Sequence, residues 1–376
     1  MSSSLIDRNV ITLAELHRQW RQFAILNAAL LIVGYLVVAL HWSFAHAQLW
    51  AAVAAPASLY ALWLLRRGLP NNYRPSDQQL LNRLGAGNVL TILRGLAIAL
   101  LAGFLLIPRP DGLLAWVPGL LYIAAITADY FDGYLARITN QATALGADLD
   151  MEFDALGMLT VTLLASLYDQ VPVWYVVVGL ARYLFVVGLW QRRRRGLPLH
   201  PIPPSAQRRI NAGLQMGFMG IVLLPVFAPP ATTLAAPIFA AALFASFARD
   251  WLVVSGRLDL QTDAYQRWRE RLGRWMFHWL PLPLRALAVG AAVSLVLADT
   301  AWWPVAAAAG SLALGAAGRL GAAALALCAA ASIQTTGLTT TNGLALVASI
   351  LLLYLGSGAC TAWRPEDRWL TRRAGE

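Results

Sequence analysis

Four aspartates form two pairs, one on each side of a short polar stretch that separates two apolar segments. Asp129 and Asp132 are three positions apart near the end of one segment, and Asp150 and Asp154 are four apart at the start of the next. Residues three or four apart lie on the same face of a helix, so each pair presents two carboxylates together. A short turn between the helices would bring all four carboxylates to one depth of a helical bundle.

Four clustered carboxylates repel one another unless protons or cations lie between them. Oxygen ligands of this kind suit hard divalent cations such as Mg²⁺ or Mn²⁺, and four aspartates can hold two of them. Paired divalent cations are an established device for phosphoryl displacement, because they stabilise both the attacking and the leaving oxygen. The spacing of the aspartates therefore predicts a two-metal site for phosphoryl transfer.

Small and basic residues beside the aspartates suit the same chemistry. Gly133 and Gly146 remove side chains where a nucleotide or phosphate could approach the backbone. Arg137 supplies a planar cation that can contact phosphate oxygens. Asp148 and Glu152 lie between the paired positions, and we interpret them as surface charge.

The surrounding composition is that of a polytopic membrane protein. Of the 376 residues, 59% are hydrophobic and 13% charged, and the mean hydropathy of +0.58 excludes a soluble domain with a polar surface. An ionised carboxylate inside a bilayer is energetically costly, so acidic residues in transmembrane segments are candidates for a function. The four aspartates are such candidates.

Apolar runs long enough to cross a hydrocarbon core of roughly 30 Å predict an all-α bundle of about twelve transmembrane helices. The predicted spans start near residues 24, 48, 88, 113, 150, 173, 209, 231, 279, 303, 320 and 341. The net charge of +10 comes entirely from arginine, and the arginines fall in alternate loops when the N-terminus is cytoplasmic; Arg109 is the exception. This pattern favours membrane orientation over nucleic-acid binding, and it places the aspartates on the cytoplasmic side.

Polar connectors divide the chain into four predicted segments. Residues 1–70 form a two-helix membrane extension, and residues 71–256 form a six-helix core that contains the aspartates. Residues 257–278 combine tryptophans and arginines at helical spacing, which is typical either of an interfacial amphipathic helix or of a solvated connector. Residues 279–376 form a C-terminal membrane block of three or four helices.

The motif resembles the signature of the CDP-alcohol phosphatidyltransferase family. All eight fixed positions of that signature match, namely Asp129, Asp132, Gly133, Ala136, Arg137, Gly146, Asp150 and Asp154. The segment NVLTILR is similar to the family's Asn-x-x-Thr-x-x-Arg, with Asn88, Thr91 and Arg94 at its fixed positions. The resemblance covers residues 80–256, roughly half of the chain, and leaves both flanking blocks outside.

The resemblance implies that Asp129, Asp132 and Asp150 bind the metal ions, and that Asp154 lies at the same site and acts as general base. The family's reaction is attack of an acceptor hydroxyl on the β-phosphorus of a CDP-linked donor, with release of CMP. The residues implied to bind the nucleotide are Asn88, Thr91, Gly133, Ala136, Arg137 and Gly146. The resemblance also implies a homodimer, and we expect a bacterial inner-membrane location.

Basic residues further from the motif are candidates for binding the acceptor or a phosphate. Arg182 falls near the middle of a predicted span, where it can form an anion site or pair with a carboxylate or carbonyl. Arg208 and Arg209 resemble a basic position of relatives with phosphorylated acceptors, but ordinary cytoplasmic charge explains them equally well. Arg94 is a further candidate for this role. Because Arg182 and the Arg208 region could receive a polar or phosphorylated acceptor, we favour CDP-diacylglycerol over a CDP-linked headgroup as the donor.

Three other interpretations stay open. A UbiA-like prenyltransferase also binds Mg²⁺ and diphosphate through aspartates, but its motifs lie on well-separated helices. An ion-coupled transporter without covalent chemistry would carry carboxylates across the depth of the membrane. The outer helical blocks could also carry the main function, with the predicted core as an accessory.

Overall fold

The chain folds into helices joined by short connections. A computed structural model describes residues 2–76, 78–297 and 302–363, and the only β-structure in these ranges is two isolated bridges, Tyr73 with Leu80 and Ala316 with Trp363. The predicted all-α class is confirmed.

Thirteen α-helices lie in the described ranges, and each of the twelve predicted spans coincides with one of them. The helices are α1 (Ser2–His41), α2 (Phe44–Gly68), α3 (Ala86–Ala102), α4 (Trp116–Ile138), α5 (Ala144–Leu167), α6 (Val176–Arg194), α7 (Ala206–Leu223), α8 (Ala231–Val254), α9 (Asp263–Arg274), α10 (Pro281–Leu297), α11 (Trp302–Leu314), α12 (Gly318–Thr336) and α13 (Thr340–Leu355).

Seven helical segments of the described chain are long and apolar enough to cross a bilayer, so the protein is an integral membrane protein. They are Ile11–His41, Phe44–Asn71, Ala86–Leu106, Gly112–Ile138, Val173–Arg194, Ala231–Val254 and Asp263–Leu297. The apolar helices α11 and α13 are shorter, with 13 and 16 residues. A total of eleven or twelve crossings therefore stays a prediction.

Most of the predicted linker at residues 257–278 is helical. Helix α9 has no buried residue, and a π-helical turn, Trp275–Trp279, joins it to α10. Trp268, Trp275 and Trp279 are 56%, 56% and 58% exposed. Exposed tryptophans and arginines on a helix that leads into a membrane span are typical of an interfacial segment, and that placement stays a prediction.

The chain divides into two compact units that do not follow the predicted segments. The first contains the residues up to Tyr168 together with Met219–Pro225, and the second contains Asp169–Phe218 and the residues from Val226 onward. Helices α1 to α5 and all four motif aspartates belong to the first unit. The predicted boundaries at residues 70, 256 and 278 stay predictions.

Glycines allow α3 to lie close to both of its neighbours in the first unit. A Cβ atom on Gly87 would lie 2.8 Å from Ala136 Cβ of α4. A Cβ atom on Gly95 would lie 2.5 Å from the buried ring of Phe153 on α5. The two glycines thus bring α3 against the helices that carry the aspartate pairs.

A tight turn joins α4 to α5. The backbone N–H of Gln141 donates to the carbonyl oxygen of Ala136 at 2.9 Å, and Asn140 has a left-handed backbone conformation with φ of 53°. Thr143 then caps α5, because its hydroxyl accepts a hydrogen bond from the Gly146 amide at 3.1 Å. The chain reverses within residues 139–143, so the aspartate pairs meet near the turn.

The second unit contains a buried arginine that the sequence analysis did not single out. Arg285 of α10 is 7% exposed, and its guanidinium donates to carbonyl oxygens that include those of Leu312, Ala313, Ser357 and Ala359, at 2.7 to 3.1 Å. Carbonyls at the end of α11 and after α13 thus satisfy a charge that would be costly alone.

Candidate active site

The structure brings the four motif aspartates together between α4 and α5. Asp129, Asp132 and Asp150 each offer one carboxylate oxygen, and these oxygens lie within 4.8 Å of one another. Asp154 lies one turn beyond Asp150 on α5. The predicted convergence of the two pairs is thus observed, and three carboxylates form its tightest part.

Arg94 of α3 contacts both aspartate pairs. Its Nη1 is paired with Asp129 Oδ1 and lies 3.7 Å from Asp132 Oδ2. Its Nη2 donates to Asp150 Oδ1 at 2.8 Å and to the Asp150 carbonyl at 3.0 Å, and it lies 3.5 Å from Asp154 Oδ1. The side chain is 3% exposed. The sequence predicts acceptor or phosphate binding for Arg94; that role stays a prediction, and the described contacts of Arg94 are with the carboxylate cluster.

Thr91, one turn before Arg94 on α3, fixes one of the carboxylates. Its hydroxyl oxygen lies 2.8 Å from Asp132 Oδ2 and 3.1 Å from the Gly87 carbonyl oxygen. A hydroxyl has one proton, and the charged and nearer carboxylate is the stronger acceptor. Asp132 itself is buried. Thr91 therefore orients the most buried carboxylate of the cluster.

Asn88 ties the start of α3 to the start of α5. Its side-chain amide donates to Asn72 Oδ1 at 3.0 Å and to Thr143 Oγ1 at 2.9 Å, and all three residues are buried. The sequence analysis missed Asn72 and Thr143. A helix N-cap signal could have found Thr143, because this threonine directly precedes Ala144, the first residue of α5.

The small residues of the motif pack against neighbouring side chains. A Cβ atom on Gly146 would overlap the Asn88 side-chain oxygen, and one on Gly133 would lie 3.2 Å from Arg137 Nη1. Ala136 packs against Gly87, and Arg137 is exposed. Helix packing thus accounts for Ala136 and Gly146, and the predicted contact of these residues with a nucleotide stays a prediction.

The two acidic residues between the motif positions lie outside the cluster. Asp148 and Glu152 are exposed, as expected for surface charge, and Asp148 accepts a hydrogen bond of 3.2 Å from Asn71.

The more distant arginines belong to the second unit. Arg208 Nη1 donates to Oδ2 of the buried Asp250 at 3.0 Å. Arg182 is partly buried on α6, and Arg209 is exposed on α7. Their predicted contact with an acceptor stays a prediction.

The donor set of the cluster suits divalent cations. Asp129, Asp132 and Asp150 supply anionic oxygens within the reach of one ion, and all-oxygen ligation is the preference of Mg²⁺ and Mn²⁺. Asp150 and Asp154 have side chains that are 46% and 38% exposed, so a water-soluble group can approach them. The arrangement can hold a metal ion.

Comparisons with known proteins find related sequences. Residues 85–256 match the family model described as CDP-alcohol phosphatidyltransferase. A protein of Mycobacterium tuberculosis, provisionally named a cardiolipin synthase, is 31% identical over 140 residues, which cover 36% of this chain and 63% of that protein. The match therefore spans less than two thirds of the mycobacterial relative.

Two further relatives carry similar names. The CDP-diacylglycerol–glycerol-3-phosphate 3-phosphatidyltransferase of Rickettsia typhi is 32% identical over 137 residues, covering 36% of this chain and 75% of that enzyme. The CMP-forming cardiolipin synthase of Streptomyces coelicolor is 35% identical over 130 residues, covering 31% and 58%. No solved structure matches the chain significantly. The chain belongs to the CDP-alcohol phosphatidyltransferase family.

Proposed function

We propose that this protein transfers a phosphatidyl group from a CDP-linked lipid donor to a hydroxyl acceptor and releases CMP, as a step of phospholipid biosynthesis. The observation that carries the proposal is the convergence of Asp129, Asp132 and Asp150, with Asp154 one turn beyond Asp150 on α5. Membership of the family supports the same reaction.

The four aspartates would hold two divalent cations, Mg²⁺ or Mn²⁺. When bound, these ions supply Lewis-acid stabilisation of the charge on the diphosphate and on the departing CMP. Asp129, Asp132 and Asp150 are the main ligands, and Asp154 completes the set. Thr91 holds Asp132 in place through its hydroxyl group.

Asp154 is proposed as the general base. Its carboxylate accepts the proton of the acceptor hydroxyl, and the oxygen so activated attacks the β-phosphorus of the donor. The new phosphodiester bond forms as the bond to CMP breaks. Arg137, exposed at the end of α4, is placed to contact the phosphates of the nucleotide.

The nucleotide pocket is proposed to lie beside the aspartates on α3, α4 and α5. Asn88 and Thr91 would line this pocket, and their hydrogen bonds to Thr143 and Asp132 fix the orientation of their side chains. The proposed nucleotide-binding residues are Asn88, Thr91, Gly133, Ala136, Arg137 and Gly146.

The donor is proposed to be CDP-diacylglycerol, and the acceptor a polar or phosphorylated alcohol or a lipid hydroxyl. The Rickettsia relative is named for transfer to glycerol 3-phosphate, and the Streptomyces relative for CMP-forming cardiolipin synthesis. Arg182, Arg208 and Arg209 are the residues proposed to contact the acceptor or its phosphate, whereas the guanidinium of Arg94, predicted for the same role, contacts the aspartates. A phosphorylated acceptor needs such cations, whereas a lipid hydroxyl does not.

The proposed setting is the inner membrane of a bacterium, with the active site on the cytoplasmic side, where CDP-linked donors and polar acceptors are available. The distribution of arginine among the predicted loops supports this orientation. A homodimer within the lipid bilayer is the proposed assembly, and no nucleic acid takes part.

The test is incubation of the purified full-length chain with labelled CDP-diacylglycerol, Mg²⁺ and one acceptor at a time. The panel holds glycerol 3-phosphate, inositol phosphate, serine and phosphatidylglycerol. Release of CMP that depends on one acceptor supports the proposal and names the substrate. Absence of CMP with every acceptor contradicts the proposal, and release of CMP from CDP-choline instead would contradict the lipid donor.

A further inference from the structure

Arg94 has an arrangement that neither the motif nor the proposed reaction requires. One nitrogen of its buried guanidinium contacts the α4 pair, Asp129 and Asp132, and the other contacts the α5 pair, Asp150 and Asp154. The guanidinium is rigid and planar, so the spacing of its two terminal nitrogens is fixed. The side chain therefore sets a separation between the two carboxylate pairs.

The charges of the cluster give this contact an energetic role. Four ionised carboxylates within the reach of one side chain carry four negative charges, and Arg94 offsets one of them from inside the cluster. Solvent partly screens the repulsion at Asp129, Asp150 and Asp154, whose side chains are 31% to 46% exposed, whereas a guanidinium that is 3% exposed is weakly screened. The carboxylates can thus converge before any cation binds.

The position of α3 makes this contact possible. At Gly87 and Gly95 no side chain holds α3 away from α4 and α5, so Arg94 reaches the cluster from a third helix. The backbone carbonyl of Asp150 accepts a further hydrogen bond from Nη2 at 3.0 Å, which fixes the guanidinium relative to the α5 backbone as well as to the carboxylates.

We propose that Arg94 is a positioning residue, an internal cation that holds the two aspartate pairs at the separation needed to bind divalent ions. The inference rests on the proposed function for the identity of the ions, but it concerns the carboxylates themselves. A lysine at this position would keep the positive charge but not the two nitrogens at a fixed separation, since an ammonium group is a single point of charge.

A positioning role predicts that replacing Arg94 destabilises the protein more in the absence of metal ions than in their presence. Without Arg94 the carboxylates repel one another until cations bind, so metal binding restores stability. A merely structural arginine would give the same loss of stability with and without metal. The two roles are therefore distinguished by thermal unfolding in chelator and in Mg²⁺.

The experiment compares Arg94→Gln and Arg94→Lys with the wild-type full-length chain. We expect Arg94→Gln to lower Tm by about 5 °C or more in chelator, and saturating Mg²⁺ to remove at least half of that difference. The Tm gap, meaning the difference between Tm in Mg²⁺ and Tm in chelator, should be smaller for Arg94→Lys than for Arg94→Gln but larger than for wild type. Arg94→Lys should also alter the electron paramagnetic resonance spectrum of bound Mn²⁺. The exposed Arg193, changed to Gln, is the control and should keep the wild-type gap.

Three results would overturn the proposal. They are an equal loss of Tm with and without metal in Arg94→Gln, an unchanged Tm in chelator, and a wild-type Mn²⁺ spectrum in Arg94→Lys. If Arg94→Gln does not fold, the Tm gap and Mn²⁺ spectrum of Arg94→Lys decide. These readings do not use CMP release, so the proposed reaction can fail while the role of Arg94 is upheld, and the reverse.

Discussion

Replacing Thr91 by valine tests whether the cluster depends on the orientation of one carboxylate. Valine has nearly the shape of threonine, so the change removes the hydroxyl and leaves the packing of α3. The hydroxyl oxygen lies 2.8 Å from Asp132 Oδ2, and both residues are buried. The substitution therefore leaves a buried carboxylate oxygen without its hydrogen-bond donor.

The size of the effect follows from this one bond. A hydrogen bond to a charged acceptor contributes about 1.5 to 3 kcal/mol, and each 1.4 kcal/mol corresponds to a factor of ten. If the bond serves to hold Asp132 as a ligand, its loss should lower metal affinity or turnover by about 10- to 100-fold. Substitutions of residues that orient metal ligands typically have effects of that size.

The assay measures initial rates of CMP release against Mg²⁺ concentration for wild type, Thr91→Val and a matched control. Thr127→Val is that control, because Thr127 lies on α4, is exposed, and bonds only within its helix in the contacts described, to the Ile123 carbonyl at 2.8 Å. We expect Thr91→Val to need more Mg²⁺ for half-maximal rate, and the control to behave as wild type. A Thr91→Val enzyme within twofold of wild type at every Mg²⁺ concentration would refute the reasoning.

Three further predictions concern the base, the metal and the packing of α3. Asp154→Asn should lower turnover by about 10²- to 10⁴-fold while nucleotide binding persists, whereas Glu152→Gln, exposed on the same helix, should keep near-normal turnover. Chelation of divalent ions should stop CMP release, and Mg²⁺ or Mn²⁺ should restore it; full activity in excess chelator would contradict the metal site. Gly95→Ala places a methyl group 2.5 Å from the buried Phe153 ring, so it should cost about 1 to 3 kcal/mol of stability. In a thermal melt, Gly213→Ala, with nothing within 4 Å of its Cβ, should instead leave Tm unchanged or slightly raised.

Much of the helical layout could be predicted from the sequence, because apolar runs of transmembrane length are a strong local signal. The aspartate pairs could also be predicted, since a spacing of three or four residues fixes a shared helix face and the polar turn after Ile138 reverses the chain. Membrane crossing is less certain from hydropathy alone, because α11 and α13 contain only 13 and 16 residues.

The contact between Arg94 and the aspartate cluster could not be predicted in the same way. Arg94 lies 35 positions before Asp129, the first of the four aspartates, and no local pattern shows which helix packs between two others. Its contacts depend on the glycines at positions 87 and 95, whose effect appears only when three helices are assembled. The ion pair between Arg208 and Asp250 is of the same kind, because it joins α7 to α8 across 42 positions. Long-range pairing of charges is thus the part of the site that spacing alone leaves open.

The position of Arg94 also bears on the alternative functions. An ion relay across a bilayer needs carboxylates at successive depths of a core that is roughly 30 Å thick. One guanidinium contacts all four aspartates here, so they lie at a single level. A prenyltransferase of the UbiA kind would carry its aspartates on well-separated helices, whereas α4 and α5 are joined by the turn at residues 139–143. A cluster confined to one level and one helical hairpin favours a site that binds one diphosphate group and its metal ions over either alternative.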